Sequence, residues 1–226
     1  MCGRFTLTTS AEEWSDLFAV EPLEAEPRYN IAPTENVIVV RCDESGAREA
    51  VRLRWGLIPS FSDGPDDIPL LINARCETIR EKPSFKDAFQ RRRCLVVADG
   101  FYEWLDDDTG KRAFWIHLAA GGPFGFAAIW DRWEGKDGPI ESCAILTTEA
   151  SEDLAPIHDR MPGVLDHQQV RRWLHPDAGP SELSSLVNQA DPGRLALREV
   201  STRVNSVKYD DPECLAPVGT QVDLFS

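Results

Sequence analysis

The sequence lacks the cysteine pattern of a metal site or of a disulfide scaffold. Its six cysteines, at positions 2, 42, 76, 94, 143 and 214, are scattered over 226 residues, and no two of them form a Cys-x-x-Cys pair. No group of cysteines and histidines has the spacing of zinc ligands. We therefore expect no metal ion, and no motif implies an organic cofactor.

Long apolar runs are also missing. No segment approaches the roughly 20 apolar residues that span a bilayer. The N-terminal stretch MCGRFTLTTS lacks the apolar core of a secretory signal. We expect a cytoplasmic protein without a membrane partner.

Positive charge is scarce, and lysine is scarcer than arginine. The chain has five lysines and nineteen arginines against 38 acidic residues, for a net charge of −14. Such a balance normally argues against nucleic-acid binding, because phosphates are neutralised by lysine and arginine. Seven of the basic residues nevertheless fall between Arg75 and Arg93. The composition is compatible with a local basic groove but does not predict one.

The chain shows neither an internal repeat nor a long linker, so we expect a single domain over residues 1–226, with a core at 2–210 and a C-terminal tail at 211–226. Apolar and alternating runs predict strands at 37–41, 50–55, 94–98, 113–118, 124–130, 143–148 and 195–200. Helical spacing and capping residues predict helices at 10–19, 84–91, 167–174 and 182–189. Strands outnumber helices and are joined mostly by short turns. We predict an α+β fold with a largely antiparallel, barrel-like β core and short flanking helices.

Cys2 has a chemistry that no internal cysteine can have. Removal of Met1 would leave a free α-amine and a thiol on one residue. Their reference pKa values, about 8 and about 8.5, allow reactive forms near neutral pH. The amine can condense with an aldehyde to an imine, and the thiol can then close a thiazolidine ring. The position of Cys2 by itself is also consistent with an ordinary small residue that follows the initiator methionine and has no reactive role.

Five segments have compositions that core packing does not explain: MCGRF at 1–5, RYNIAPT at 28–34, WGLIPSF at 55–61, NARCET at 73–78 continuing to DGFYEW at 99–104, and IHDRMP at 157–162. Each candidate functional residue in these segments also has a purely structural explanation. Trp55 could be a core residue, Glu103 a solvated strand residue and His158 a surface histidine. Arg75 and Arg160 could form structural salt bridges only.

Together, and in this order, these motifs resemble the SRAP family (SOS response-associated peptidase), whose members are abasic-site processing proteins. The resemblance extends from MCGRF to VSTRVN at 200–205 and so covers nearly the whole chain. It implies capture of the sugar aldehyde of an abasic site in single-stranded DNA as a covalent thiazolidine crosslink that shields the lesion during the DNA damage response. It further implies an enzyme with possible AP lyase activity. We expect a monomer that is nucleoid-associated when bound to DNA.

The resemblance assigns four reactive residues. Cys2 would supply the amine and the thiol. Glu103 would act as the acid–base group near the sugar. His158 would assist proton transfer to the opening sugar and in reversal of the crosslink. Asn73 would hold the reacting centre.

A second set of residues would contact the DNA. Arg4 and Arg75 would clamp phosphates, and Arg160 would add a further contact. Thr147 would add a hydroxyl contact, while Trp55, Pro33 and Pro59 would form an apolar stacking surface.

Two other functions stay open at this point. One is a thiol peptidase, with Cys2 as nucleophile and His158 as base. The other is a non-covalent binding module for modified or single-stranded DNA. A β-elimination side activity through an imine at Cys2 would use the same Glu103 and His158.

Overall fold

Two β-sheets of unequal size form the centre of the molecule. The computed structural model describes residues 2–108, 110–188 and 195–218. In that part of the chain there are thirteen strands: β1 (Phe5–Leu7), β2 (Arg28–Ile31), β3 (Asn36–Cys42), β4 (Arg48–Trp55), β5 (Asn73–Arg75), β6 (Arg93–Ala98), β7 (Gly100–Asp107), β8 (Gly110–Leu118), β9 (Phe124–Gly135), β10 (Gly138–Glu149), β11 (Arg160–Pro162), β12 (Val164–Leu165) and β13 (Leu195–Val200).

The smaller sheet has five strands in the order β13-β8-β7-β1-β2, all paired antiparallel. The larger sheet has the order β11-β10-β4-β3-β6-β9-β12, with β5 also paired to β10. The larger sheet closes on itself because β10 pairs with β9 as well as with β4. The predicted α+β fold with a barrel-like, largely antiparallel β core is confirmed.

Two pairings of the larger sheet are parallel, and they place the functional residues. β10 runs parallel to β4 and to β5, with Asn73 opposite Ile145 and Arg75 opposite Thr147. Parallel neighbours need a long connection, and residues 76–137, which include α2 and β6–β9, supply it between β5 and β10. Neither β5 nor its parallel pairing was expected from the sequence.

Four short helices flank the sheets: α1 (Ala11–Phe18), α2 (Pro83–Arg91), α3 (His167–Trp173) and α4 (Pro180–Asn188). Ser10 caps α1 through its side chain, and Asp166 forms a capping box with Gln169 at α3. α2 differs from the expected start at Ser84, because Pro83 occupies its first turn and Lys82 precedes it without a side-chain cap. Proline suits that position, since it has no N–H to leave unpaired.

Residues 211–218, expected to belong to a tail, pack onto the smaller sheet. Cys214 is fully buried in a cluster with Tyr102 and Val204. Pro217 pairs with Val200 at the edge of β13. The remaining tail residues, 219–226, lie outside the described part of the chain, and the domain boundaries stay a prediction. None of the described helices combines the length and the apolar character needed to cross a membrane.

Candidate active site

Cys2 lies where the two sheets approach each other. Its backbone carbonyl accepts a hydrogen bond from the Asn73 side-chain amide at 2.8 Å. Two residues later, the carbonyl of Arg4 accepts a hydrogen bond from the Tyr102 backbone N–H at 3.0 Å. The N-terminal segment is therefore tied to β5 on one side and to β7 on the other, and the Cys2 side chain is fully buried between them.

Glu103 projects from β7 beside this segment and is only 2% exposed. Burial raises the pKa of its carboxyl to about 7, while the positive charge of the amino terminus opposes the rise and Asp159 adds to it. The pKa of the Cys2 thiol is raised well above its usual range, first by burial and then by the charge of Glu103. The carboxyl and the thiol therefore share one weakly solvated environment.

His158 lies in the turn that precedes β11, with 27% of its side chain exposed. Its Nδ1 lies 2.9 Å from the Arg160 backbone nitrogen, whose N–H points at it, and 3.0 Å from Asp159 Oδ1. Burial lowers the pKa of His158, the charge of the amino terminus lowers it further, and Asp159 opposes both. The imidazole is therefore mainly neutral at pH 7.

These contacts bring the four expected reactive residues to one place. A hydrogen bond joins Asn73 to Cys2. The charge of Glu103 acts on the pKa of the Cys2 thiol, and the charge of Asp159, next to His158, acts on the pKa of Glu103. The site combines a thiol, a carboxyl that titrates near neutrality, a neutral imidazole and an amide. Such a set can add a nucleophile to a carbonyl and move the accompanying protons.

The three arginines that we expect to bind phosphates differ in how many hydrogen bonds or ion pairs they form within the protein. Nη1 of Arg4 donates to Asn30 Oδ1 at 2.7 Å and to the Val204 carbonyl at 2.9 Å. Arg75 is exposed at the end of β5. The guanidinium of Arg160 forms a two-bond ion pair with Glu77, at 2.7 and 2.9 Å. Only Arg75 presents an exposed side chain for a phosphate without rearrangement.

Three of the other expected DNA contacts are not available at the surface. Thr147 is fully buried on β10, and Trp55 is fully buried with its indole N–H bonded to the Ile72 carbonyl at 3.0 Å. The ring of Trp55 packs edge to face on Phe5, with centroids 5.1 Å apart. Pro59 is buried and Pro33 half-buried. The side chains of Trp55 and Thr147 fill the core, so neither the expected stacking surface nor the expected hydroxyl contact is exposed in this structure, and both roles stay predictions.

Phe61, six residues after Trp55, is the exposed aromatic residue of that motif. It is 67% exposed, although its neighbours are held firmly. The Ser60 N–H donates to Asp131 Oδ2 at 2.9 Å, and the Ser62 carbonyl accepts from Trp133 Nε1 at 2.8 Å. The signal in the sequence was an aromatic residue between two serines, outside any apolar periodicity.

Among the described residues, no three His, Cys, Asp or Glu side chains lie together so as to hold a metal ion. The expectation of a reaction without metal or cofactor stays a prediction.

Comparison with known proteins identifies the family. Residues 1–207 match the profile of the family described as SOS response associated peptidase (SRAP). The chain belongs to the SRAP family. It is 39% identical to the abasic site processing protein YoaM of Bacillus subtilis (strain 168), over 95% of this chain and 97% of that protein. It is 32% identical to the abasic site processing protein YedK of Escherichia coli (strain K12), over 96% of this chain and 100% of that protein.

Two solved structures share the fold of this chain. A protein from Bacteroides thetaiotaomicron superposes with a TM-score of 0.85 at 22% identity, covering 96% of this chain and 100% of that one. A phage-related protein from Bordetella bronchiseptica superposes with a TM-score of 0.71 at 28% identity, covering 92% and 99%. The fold of this chain is therefore shared with both of these structures.

Proposed function

We propose that this SRAP protein captures abasic sites in single-stranded DNA as a thiazolidine crosslink to Cys2, after removal of Met1. The observation that carries the proposal is the hydrogen bond of 2.8 Å between Asn73 and the Cys2 carbonyl, beside a buried Glu103 with a pKa of about 7. Bacterial relatives named as abasic site processing proteins, at 39% and 32% identity, support the same substrate.

The proposed reaction balances without any further reactant. The free amine of Cys2 bonds to the aldehyde carbon of the ring-opened sugar, and the aldehyde oxygen takes up two protons and leaves as water. The product is an imine. The Cys2 sulfur then bonds to the same carbon, the thiol proton passes to the nitrogen, and a five-membered ring results.

Glu103 and His158 move the protons in this scheme. A carboxyl with a pKa of about 7 is present in both forms at neutral pH, so it can protonate the leaving hydroxyl and later accept the thiol proton. His158 would assist proton transfer to the ring oxygen of the sugar during ring opening and would act again in reversal. Asn73 holds the Cys2 backbone in reach of both groups.

The residues that would contact the DNA are those whose side chains are exposed to solvent. Arg75 would bind a phosphate directly, whereas Arg4 and Arg160 would do so on exchanging their present partners. Phe61 replaces Trp55 as the residue on which a neighbouring base would stack, with Pro33 at the half-buried rim. An abasic sugar offers no base edge to read, so we expect little sequence preference.

A thiol peptidase is less well supported by the same site. A cysteine peptidase attacks as a thiolate, and a nucleophilic cysteine usually has a lowered pKa. Here burial and Glu103 raise the pKa of the Cys2 thiol. Ring closure onto an imine tolerates a neutral thiol, because its proton is transferred as the new bond forms.

The test incubates the Met-processed protein with single-stranded DNA that carries one abasic site and resolves the products on a denaturing gel. We expect a heat-stable shifted band that requires the lesion and disappears in Cys2→Ala. Cys42→Ala is the matched control, because it removes a half-buried thiol away from the N-terminus and should leave the band unchanged.

Acetylation of the Cys2 amine separates the alternatives. Aldehyde capture should then fail, whereas a thiol peptidase would continue to act on protein substrates. Absence of the shifted band, with a free N-terminal cysteine confirmed by mass spectrometry, would overturn the proposal. Nicking of abasic DNA by Cys2→Ala would reveal the β-elimination side activity.

A further inference from the structure

Asp99 is a buried carboxylate between β6 and β7 to which no role has been assigned so far. It accepts hydrogen bonds from the N-terminal strand β1 and from the residues that follow this strand. Its Oδ1 accepts from the Thr6 hydroxyl at 2.5 Å. Its Oδ2 accepts from the backbone N–H and the hydroxyl of Thr8, at 2.5 and 2.7 Å, and from the same two groups of Thr9, both at 2.8 Å. Hydrogen bonds to an ionised acceptor are stronger than neutral ones, so five donors on one carboxylate hold this segment firmly.

Thr6 is held from two further directions. The Asp99 backbone N–H donates to the Thr6 carbonyl at 3.0 Å, and the Trp115 indole N–H donates to Thr6 Oγ1 at 3.1 Å. The indole lies across Gly100, where an added Cβ would come within 2.1 Å of its nitrogen. Thr6 is therefore fixed at one position, directly opposite Gly100 on β7.

Backbone pairing alone specifies the register of β1 only weakly. The strand has three residues, and its pairing with β7 consists of Phe5 opposite Phe101 and Thr6 opposite Gly100. Its pairing with β2 on the other side is irregular between Phe5 and Leu7. All three residues of β1 are buried, so no alternation of buried and exposed side chains selects one face. The side-chain contacts of Asp99 are therefore the strongest constraint on the register.

The register of β1 determines where the reactive residues meet. It continues toward the N-terminus, where the Arg4 carbonyl accepts from the Tyr102 N–H at 3.0 Å. Cys2 lies two residues before Arg4, and Glu103 directly follows Tyr102. A slip of one residue would move Cys2 by about 3.3 Å along β7 and turn the strand's side chains to the opposite faces. The Cys2 amine and thiol would then be displaced from Glu103.

We propose that Asp99 is a positioning residue, which sets the register of β1 on β7 and thereby places Cys2 beside Glu103. It acts through the three threonines and takes no part in the bond-making steps. The inference rests on the proposed function for its reaction, the crosslinking of Cys2 to an abasic site.

The test measures single-turnover crosslinking by Asp99→Asn over a range of concentrations of abasic single-stranded DNA. An amide has one acceptor oxygen in place of two, so it cannot serve all five donors. We expect the rate at saturating DNA to fall about 10- to 100-fold, with the half-saturating DNA concentration unchanged. A residue that only stabilises the fold would lower Tm and leave this rate unchanged in the folded protein. Mass spectrometry confirms removal of Met1 in each variant.

Two milder variants keep the test valid if Asp99→Asn does not fold. Thr8→Val and Thr9→Val each remove one hydroxyl donor and keep the backbone N–H. Each should slow crosslinking less than Asp99→Asn, and the double variant should slow it more than either alone.

Asp43→Asn is the matched control. The Asp43 Oδ1 also gathers several donors in a turn, namely the N–H and hydroxyl of Ser45 at 2.8 and 2.7 Å and the N–H of Ala47 at 2.9 Å. This turn connects β3 to β4 and lies outside the N-terminal segment. The same chemical change there should leave the crosslinking rate unchanged.

Nuclear Overhauser contacts between the backbone protons of Phe5 and Phe101 report the register directly. We expect them in the wild type and expect them to be lost or weakened in Asp99→Asn. The proposal is refuted if Asp99→Asn crosslinks at the wild-type rate, or if slow crosslinking accompanies intact Phe5–Phe101 contacts. A wild-type protein that shows the contacts but forms no crosslink would contradict the proposed function. Loss of the contacts in Asp99→Asn would in that case still support the register role of Asp99.

Discussion

Asn73 donates its side-chain amide to the backbone carbonyl of Cys2 at 2.8 Å and thereby joins the N-terminus to the larger sheet. The other atom of the same amide, Oδ1, is buried and has no hydrogen-bond partner among the described residues. A buried acceptor without a partner is costly. Its position beside Cys2 leaves it available to accept a hydrogen bond from the Cys2 amine or from a sugar hydroxyl.

Replacement of Asn73 by Asp should slow crosslinking by about 10- to 100-fold, because a carboxylate cannot donate to the Cys2 carbonyl and the amine is then misplaced. The rate is measured under single-turnover conditions with abasic single-stranded DNA. Asn36→Asp, at an exposed position on β3, makes the same chemical change away from the site and should have no effect. A wild-type rate in Asn73→Asp would remove Asn73 from the mechanism.

Glu103 should make the folded protein less stable as the pH rises. Its pKa is raised from 4.5 to about 7 in the folded state. The folded protein therefore holds the proton more tightly than the unfolded chain, and stability is lost between these two pH values. Glu103→Gln should stabilise the protein at pH 8 by about 3 kcal/mol and not at pH 4, while impairing capture.

Denaturant unfolding of Glu103→Gln at pH 4, 6 and 8 measures this difference. Glu44→Gln, an exposed position, is the control and should change little at any pH. A gain in stability that is the same at pH 4 and pH 8 would mean that the charge of Glu103 is not its cause.

Glu77 should restrain Arg160. It holds the guanidinium through two bonds, at 2.7 and 2.9 Å. Glu77→Gln should release Arg160 for a phosphate, raise affinity for single-stranded DNA severalfold, and steepen the salt dependence by about 0.7 in the log–log slope. Titrations at several salt concentrations test this, with exposed Glu81→Gln as the control for removal of one negative charge. Equal salt slopes for Glu77→Gln and the wild type would show that Arg160 does not reach the DNA.

Phe61 should contribute to DNA binding and little to folding, because 67% of it is exposed. Phe61→Ala should weaken binding of single-stranded DNA about fivefold or more, as loss of one stacking contact does, with almost no change in Tm. Val207→Ala, at an apolar residue with 60% exposure, is the control. Asp131→Ala, which frees the Ser60 N–H, should weaken binding in the same direction. Unchanged affinity in Phe61→Ala would exclude stacking at this loop.

Elements with local signals were predictable from the sequence. Strand β13 spans Leu195–Val200, as its alternation indicated, and α1 begins after its predicted cap, Ser10. Helix capping and the alternation of apolar and polar residues depend on positions close together in the chain. They can therefore be predicted from the sequence.

The site was only partly predictable. The motif order indicated Cys2, Asn73, Glu103 and His158 as a set, and the structure brings them together. Their roles are not thereby tested. The motifs did not distinguish buried Trp55 from exposed Phe61, because both belong to one segment and exposure depends on what packs against it.

The sequence by itself determined three things: the chemistry available to a terminal cysteine, the fold class, and the resemblance to a family through its motifs. Each of these depends on residue identity and short spacing. Tertiary structure decided which side chains reach solvent, and it raised the pKa of Glu103 to about 7. Both depend on strands that are distant in sequence, such as the parallel pairing of β5 with β10. Burial and electrostatic environment are properties of the packed chain, and no local pattern encodes them.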